Sequence, residues 1–188
     1  MRRLILHMSM SLDGFVAGPN GTIDWLGSDR GHSNTRHRAN LEMIGRAGLI
    51  VLGRGAYEEM AQAWATSDGP MARLINRLPK VIFSNSLEKV EWENARLAGA
   101  PLEEGIPRLK AEGGEDIVVF GGGRIGHSLI RHRLADELRL TVHPVALGEG
   151  LSLMHGLPEP QRFDLVGATV YTDGSIGQML RPHNPKEP

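Results

Sequence analysis

Short apolar runs, each followed at once by glycine or small polar residues, recur along the chain. The runs with few polar breaks cover residues 4–10, 49–52, 80–83 and 117–120. Such runs are typical of strands that are buried on both faces of a sheet. The stretches that allow helices cover residues 33–46, 56–64, 70–77, 101–112 and 124–133. Strands that alternate with helices predict right-handed crossovers and a largely parallel sheet, and therefore an α/β fold.

The C-terminal part of the chain has a different pattern. Residues 137–143 alternate as a strand does, and two further extended runs lie on either side of Asp173-Gly174. An Asp-Gly pair between two such runs predicts an antiparallel hairpin. Residues 11–21 and 144–160 are rich in turn formers and are expected to be loops. We expect one domain over residues 1–181 and a frayed tail over residues 182–188.

Composition excludes several classes of protein. The chain has 188 residues, a formal net charge of −1 and no cysteine. Disulfides, thiolate metal sites and cysteine nucleophiles are therefore excluded. The basic residues are scattered, which argues against nucleic-acid binding. No apolar run reaches membrane-spanning length or resembles a signal peptide, so a cytoplasmic protein is expected. The eight histidines lack the spacing of metal ligands, and no metal site is expected.

Four polar or glycine-rich segments directly follow predicted strands. They are residues 11–14, 53–55, 84–86 and 121–126. Because parallel strands have their carboxyl ends at one edge of the sheet, these segments are expected to form one ligand site. Arg54 has the geometry to bind a phosphate with two hydrogen bonds. The run of glycines before a predicted helix would hold a pyrophosphate, since unpaired N–H groups at a helix start favour anions.

Two familiar nucleotide folds and one hydrolase class fit poorly. Gly121, Gly123 and Gly126 match G-x-G-x-x-G, but the acidic residue expected about twenty positions further on is absent. The motif also lies late in the chain rather than after the first strand. No P-loop sequence occurs, and neither Ser128 nor Ser175 lies in a nucleophile elbow.

The order and spacing of four segments resemble the dihydrofolate reductase superfamily. These are residues 8–17, 51–57, 81–84 and 118–123, and the match is closest to the RibD C-terminal (riboflavin biosynthesis reductase) domain family. The resemblance implies a three-layer, dihydrofolate-reductase-like mixed sheet, mostly parallel, with a C-terminal antiparallel hairpin. It also implies NADPH as the cofactor and a homodimer. It further implies a cis peptide bond between Gly121 and Gly122.

The same resemblance implies where the cofactor binds. It places Gly53, Arg54 and Tyr57 near the adenosine-side phosphates, and it places Ser84 and Asn85 near the 2′-phosphoribose. Ala17 would border the nicotinamide. The pyrophosphate would be held by Gly121, Gly122, Gly123, Arg124 and Ile125.

The chain departs from folate reductases at the acid that binds the pterin. The matching stretch, residues 34–40, has no carboxylate. Arg36 and His37 in this stretch suit an anionic substrate better. Asp13 then becomes the expected catalytic acid near the nicotinamide. The predicted substrate-binding residues are Ser9, Trp25, Arg36 and His37, and the further candidates are His7 and Asp24.

Three functions are compatible with these features. The first is an NADPH-dependent reductase of a pyrimidine, pterin or related heterocycle, similar to 5-amino-6-(5-phosphoribosylamino)uracil reductase. The second is a non-catalytic module that binds NADPH or another nucleotide, which the absent helix carboxylate would explain. The third is a flavin-using protein on a similar sheet, which would be yellow when purified.

Overall fold

The strands form one large sheet and one small sheet in the computed structural model, which describes residues 1–26 and 34–184. In chain order the strands are β1 (Leu4–Ser11), β2 (Phe15–Ala17), β3 (Leu49–Gly53), β4 (Lys80–Phe83), β5 (Ala95–Leu97), β6 (Ile117–Phe120), β7 (Glu137–His143), β8 (Leu151–Ser152), β9 (Phe163–Val170) and β10 (Ile176–Pro182). The large sheet has the order β5-β4-β3-β6-β1-β7-β10-β9, and β2 pairs with β8. The first six strands in this order, β5-β4-β3-β6-β1-β7, are parallel.

Helices cover both faces of the parallel part of the sheet. They are α1 (Asn34–Gly45), α2 (Arg54–Trp64), α3 (Pro70–Arg77), α4 (Leu102–Ala111) and α5 (Gly123–Arg131), with a 3₁₀ turn at Asp24–Leu26. Side chains alternate across each strand, so each strand contributes to two cores. Ile5 of β1 packs with residues of α1, α2 and α3. Leu6, its neighbour, packs with residues of α4 and α5.

This architecture confirms the predicted three-layer, mostly parallel sheet. The predicted C-terminal hairpin is also confirmed, because β10 is antiparallel to both β9 and β7. The last strand ends at Pro182, one residue inside the predicted tail. Ser33, the first residue of the helix predicted over residues 33–46, and residues 185–188 of that tail lie outside the described residues.

Two stretches predicted to be loops contain short strands, so that prediction was wrong in part. Phe15 pairs with Ser152 and Ala17 pairs with Leu151. Strands of two or three residues show no readable periodicity, and these partners lie more than a hundred positions apart. The close approach requires Gly150, where a Cβ atom would lie 2.2 Å from the carbonyl oxygen of Ala17.

None of the helices within residues 1–26 and 34–184 combines the length and the apolar content that a membrane crossing needs.

Candidate functional site

A long cleft follows the carboxyl ends of β4, β3, β6 and β1. Its volume is about 1710 Å³, which exceeds the range of roughly 300–1,000 Å³ usual for a single small ligand. The predicted strand-end segments at Gly53, Ser84 and Gly121 line it together. The cleft therefore has room for a dinucleotide and a second molecule.

The glycine turn between β6 and α5 forms part of the cleft wall. Gly121 and Gly122 have φ angles of +78° and +82°, a conformation that favours glycine. A Cβ atom on Gly121 would meet nothing within 4 Å, so the backbone is open to a ligand there. The peptide bonds of the described residues are all trans, which corrects the cis bond expected between Gly121 and Gly122. Two left-handed glycines make the turn instead.

A lip formed by β2 and β8 closes the cleft on the α5 side. Val16 and Leu151 pack directly against Gly123, where a Cβ atom would lie 2.5 Å from Val16 Cγ2 and 2.7 Å from Leu151 Cδ2. Glycine is thus needed at position 123 for packing, whereas the preceding two glycines serve the backbone turn. Ala17 lies in this lip and lines the cleft.

Arg54 joins the ends of β3 and β4. Its Nε donates to Glu58 Oε1 at 2.8 Å, and its Nη1 donates to Ser86 Oγ at 2.9 Å. Ser84 Oγ accepts the backbone N–H groups of Ser86 and Leu87 at 3.2 and 3.0 Å. The Arg54 side chain is 54% exposed, and exposed ion pairs contribute little stability. The Arg54 guanidinium can therefore exchange these partners for an anion at low cost.

The α1 side of the cleft has an aromatic floor. His7 and Phe120 stack, with ring centroids 5.2 Å apart and an interplanar angle of 15°. Trp64 lies against Phe120 at 5.9 Å. Arg36, His37 and Asn40 of α1 line the cleft above this floor. Arg36 is held by Asp173, since its Nη2 lies 2.9 Å from Asp173 Oδ2.

His7 is a neutral histidine at physiological pH. Burial, aided by the charges of Arg139 and Arg36, lowers its pKa to about 4. Its Nδ1 atom is buried and has no hydrogen-bond partner among the described residues. Buried polar atoms are nearly always paired, so an unpaired one next to a cleft calls for an explanation.

Asp13, the predicted catalytic acid, does not line the cleft. Its carboxylate accepts hydrogen bonds from the Ser11 hydroxyl at 2.6 Å and from the backbone N–H of Gly148 at 2.7 Å. The N–H of Leu147 also donates to it at 3.1 Å. These bonds, led by that from Ser11, lower the pKa of Asp13 to about 2. At neutral pH it carries no proton to donate, so its catalytic role stays a prediction and the geometry favours a positioning role.

Three more predicted residues, Asp24, Trp25 and Tyr57, lie away from the cleft lining. Asp24 is exposed at the start of the 3₁₀ turn. The ring of Trp25 meets that of His143 edge-on, with centroids 5.6 Å apart, and Trp25 Nε1 has no partner in the described part of the chain. The Tyr57 hydroxyl accepts the backbone N–H of Glu91 at 3.0 Å. Their assignments to substrate and cofactor stay predictions.

The cleft brings together most of the predicted site residues. Those that line it are Ser9, Ala17, Arg36, His37, Gly53, Arg54, Ser84, Asn85, Gly121, Gly122, Gly123, Arg124 and Ile125. Sequence reasoning missed Glu58, Glu59, Trp64, Glu103 and Phe120. Glu58 is four residues after Arg54, so helical spacing pointed to their pairing. The sequence did not indicate which side of α2 faces the cleft.

Known proteins resemble this chain over nearly its whole length. The RibD C-terminal domain profile matches residues 2–176. The uncharacterized protein YyaP of Bacillus subtilis is 28% identical over 180 residues, which are 93% of this chain and 92% of YyaP. A structure from Shewanella sp. PV-4, assigned to riboflavin biosynthesis, superposes with a TM-score of 0.77, at 24% identity, over 97% of this chain and 99% of that chain.

The fold also resembles that of a folate reductase. Dihydrofolate reductase from Enterococcus faecalis, complexed with NADP(H) and the ligand RAB-propyl, superposes with a TM-score of 0.61 at 14% identity. The superposition covers 97% of each chain. At such low identity this likeness shows the fold, which agrees with the sheet order and the hairpin described above.

Proposed function

The chain belongs to the RibD C-terminal domain family, and from this premise we propose that it is an NADPH-dependent reductase of a pyrimidine, pterin or related heterocycle. One observation carries the proposal. Arg54 and the glycine turn at Gly121–Gly123 line the same cleft, although they belong to different strand ends. A long ligand with several phosphates would meet both.

The residues of the cleft suit the phosphate groups of such a cofactor. The α5 helix begins at Gly123, so its first N–H groups and the side chain of Arg124 favour an anion beside the open face of Gly121. Arg54 and Ser86, already joined at 2.9 Å, would bind a phosphate at the ends of β3 and β4. Asn85 lies beside them in the lining.

NADPH supplies a hydride when it is bound, and the chain binds and orients the two reactants. The lip at Ala17 would border the nicotinamide and exclude water from it. The floor of His7 and Phe120 offers a flat surface for a heterocyclic acceptor on the opposite side. Positioning of this kind contributes much of the rate when the cofactor performs the chemical step.

A titration with NADPH tests the cofactor proposal. We expect saturable quenching of tryptophan fluorescence by NADPH, and we expect Arg54→Ala to weaken binding about tenfold or more through the loss of a charge-assisted pair. Lys89→Ala is the matched control, because Lys89 is 80% exposed and does not line the cleft. An absence of NADPH binding, or equal affinities for native protein and Arg54→Ala, would contradict the proposal.

A non-catalytic NADPH-binding module is the second candidate. It is favoured by the engagement of Asp13, whose carboxylate is occupied by Ser11, Leu147 and Gly148. The two candidates differ in turnover over a panel of 5-amino-6-(5-phosphoribosylamino)uracil, 7,8-dihydrofolate and 7,8-dihydrobiopterin. Oxidation of NADPH with any of them supports the reductase, whereas tight NADPH binding without oxidation supports the module.

We also propose a homodimer, and we keep the cytoplasm as the proposed compartment. The outer strand β9 exposes Leu165, Val166 and Val170, at 61%, 48% and 76% exposure. Apolar side chains on an edge strand favour association with another chain. Sedimentation equilibrium should give twice the chain mass, and Val170→Lys should shift the distribution toward the monomer.

A further inference from the structure

The part of the cleft next to β1 has two sides of different character. Leu6 and Met8 face the core that contains Val16 and Ile125, which is the side of the lip and the glycine turn. His7 points the other way, because side chains alternate along a strand. It shares its side with the core of α1 and α2 and stacks on Phe120. The nicotinamide end of the cofactor proposed above would lie on the first side, beside Ala17, which leaves the second side next to β1 for the acceptor.

His7 has a hydrogen-bonding group that the protein leaves unused. The residue is 9% exposed, and Nδ1 finds no partner among residues 1–26 and 34–184. A buried imidazole nitrogen without a partner is costly unless a ligand completes its hydrogen bonds. A backbone hydrogen bond with Arg139 acts on the same ring and opposes the lowering of its pKa. His7 lines the cleft, so a bound molecule would lie beside its ring. Nδ1 itself is sealed from solvent, so the ring must turn for that nitrogen to reach the molecule.

The surroundings of His7 select for a flat and uncharged group. Phe120 lies parallel to its ring, and Trp64 lies beyond Phe120. The nearby cations are already paired, since Arg36 contacts Asp173 at 2.9 Å and Arg139 contacts Glu137 at 2.8 Å. A neutral aromatic or conjugated ring would stack here without leaving a buried charge unpaired.

Building on the reductase function proposed above, we infer that His7 determines acceptor specificity by a hydrogen bond from its neutral imidazole to a ring amide of the acceptor. The partner is an N–H or C=O group of a cyclic amide, as in a uracil or a pterin. Ser9 lies two residues further along the same strand and also lines the cleft. Its hydroxyl faces the same side of β1 as His7 and offers a second contact to the same ring edge.

This arrangement differs from recognition by a carboxylate. A carboxylate accepts hydrogen bonds only, and it favours a protonated or amidine-like ring edge. A neutral imidazole has one donor and one acceptor, so it suits an uncharged amide equally well. The imidazole of His7 is neutral because burial, aided by the charges of Arg139 and Arg36, lowers its pKa to about 4.

The test uses two replacements of His7 with 5-amino-6-(5-phosphoribosylamino)uracil as the probe. His7→Phe keeps a flat ring but removes both nitrogens, and His7→Gln keeps a hydrogen-bonding group. With NADPH saturating, we expect His7→Phe to raise KM for the probe about tenfold, the effect of one hydrogen bond to a buried group. His7→Gln should recover part of this loss. His183→Phe is the control, because His183 is exposed and pairs with Asp164 away from the cleft.

A second readout separates acceptor contact from a structural role. The affinity for NADPH should stay within about twofold in both His7 variants, since that side of the cleft is not altered. In protein labelled with ¹⁵N-histidine and loaded with NADP⁺, the probe should shift the resonances of His7 and leave those of His183 unchanged.

Three results would overturn the inference. They are an unchanged KM in His7→Phe, an NADPH affinity that falls in parallel with KM, and a probe that leaves the His7 resonances in place. Each of these is distinct from failure of the reductase proposal, which is decided by NADPH binding and turnover in the native protein.

Discussion

The backbone N–H of Gly148 donates to the carboxylate of Asp13 at 2.7 Å. This bond ties the turn after β1 to the loop before β8, on which the lip of the cleft depends. The Ser11 hydroxyl donates to the same carboxylate at 2.6 Å. Asp13 thus holds two distant stretches of chain together, and the position of Ala17 beside the cleft follows from that tie.

Replacement of Asp13 should therefore loosen the lip. Asp13→Asn keeps the size of the side chain but removes its charge and half of its acceptor capacity. We expect kcat/KM for the best acceptor to fall and hydrogen exchange at Leu147 and Gly148 to accelerate. Asp68→Asn, at an exposed position outside the cleft lining, serves as the control. Unchanged exchange at Leu147 and Gly148 would contradict the positioning role.

The pH dependence of this tie has a defined sign. The pKa of Asp13 is lowered to about 2 from 3.8, so the folded state holds the carboxylate in its charged form more readily than the unfolded state does. Its contribution is present above the unfolded pKa and is lost as pH falls from about 4 through 2. In acid titrations, the free energies of unfolding of native protein and of Asp13→Asn should therefore converge as pH falls from about 4 to 2.

His7 predicts a second, separate acid dependence. Its pKa falls to about 4 from 6.5, chiefly because of burial and then because of Arg139 and Arg36. Between these two values the unfolded chain binds more protons, so stability rises with pH. Native protein should lose about 2–3 kcal/mol more than His7→Phe on going from pH 7.5 to 4.5. The measurement is urea denaturation at both values of pH, and equal losses in the two proteins would contradict the shift.

Gly123 should tolerate no side chain. A methyl group would lie 2.5 Å from Val16 Cγ2 and 2.7 Å from Leu151 Cδ2, so the lip must move. We expect Gly123→Ala to cost about 1–3 kcal/mol of unfolding free energy and to weaken NADPH binding. Gly45→Ala is the matched control, because a Cβ atom there meets nothing within 4 Å. Native-like stability and NADPH affinity in Gly123→Ala would be inconsistent with this packing.

Lys80 is expected to stabilise the side of the sheet at the amino ends of the parallel strands, opposite the cleft. Its Nζ donates to the carbonyl oxygens of Asn76, Leu78 and Glu93 at 3.1, 2.8 and 2.9 Å. Lys80→Met removes this donor from all three carbonyls, and among the residues that the structure describes only the Asn76 carbonyl keeps a second donor, the Asn94 side chain at 3.0 Å. We expect the free energy of unfolding to fall by about 2–4 kcal/mol.

NADPH affinity should be unchanged in Lys80→Met, because Lys80 lies at the amino end of β4 while the cleft lies at the carboxyl ends. Lys89→Met, at an exposed site, should change stability by less than about 0.5 kcal/mol. Chemical denaturation measures both. A loss of NADPH binding in Lys80→Met would show that the amino and carboxyl ends of the parallel strands are coupled.

The sheet was readable from the sequence, whereas the interior of the site was readable only in part. Apolar runs that end at Gly53, Phe83 and Phe120 predict strands, because buried strands need apolar residues. The carboxyl ends of these strands then indicate where a ligand binds. No such pattern marks β2 and β8, which depend on a contact between residues that are distant in the chain.

Individual roles were harder to predict than positions. Asp13 follows a strand and was expected to be an acid, but its carboxylate is occupied by the N–H groups of Leu147 and Gly148. His7 was only a secondary candidate, because neither the burial of a side chain nor a missing hydrogen-bond partner is visible in a sequence. Both are consequences of packing between β1, β6 and α1.

The most direct test is the crystal structure of the complex with NADPH. The central claim is that loops at the carboxyl ends of several strands bind one dinucleotide. We predict that the pyrophosphate lies at Gly121–Gly123, that a phosphate contacts Arg54, and that the nicotinamide lies beside Ala17 with the His7 floor left open. A cofactor bound outside this cleft, or one that contacts Arg54 without reaching the glycine turn, would contradict the account.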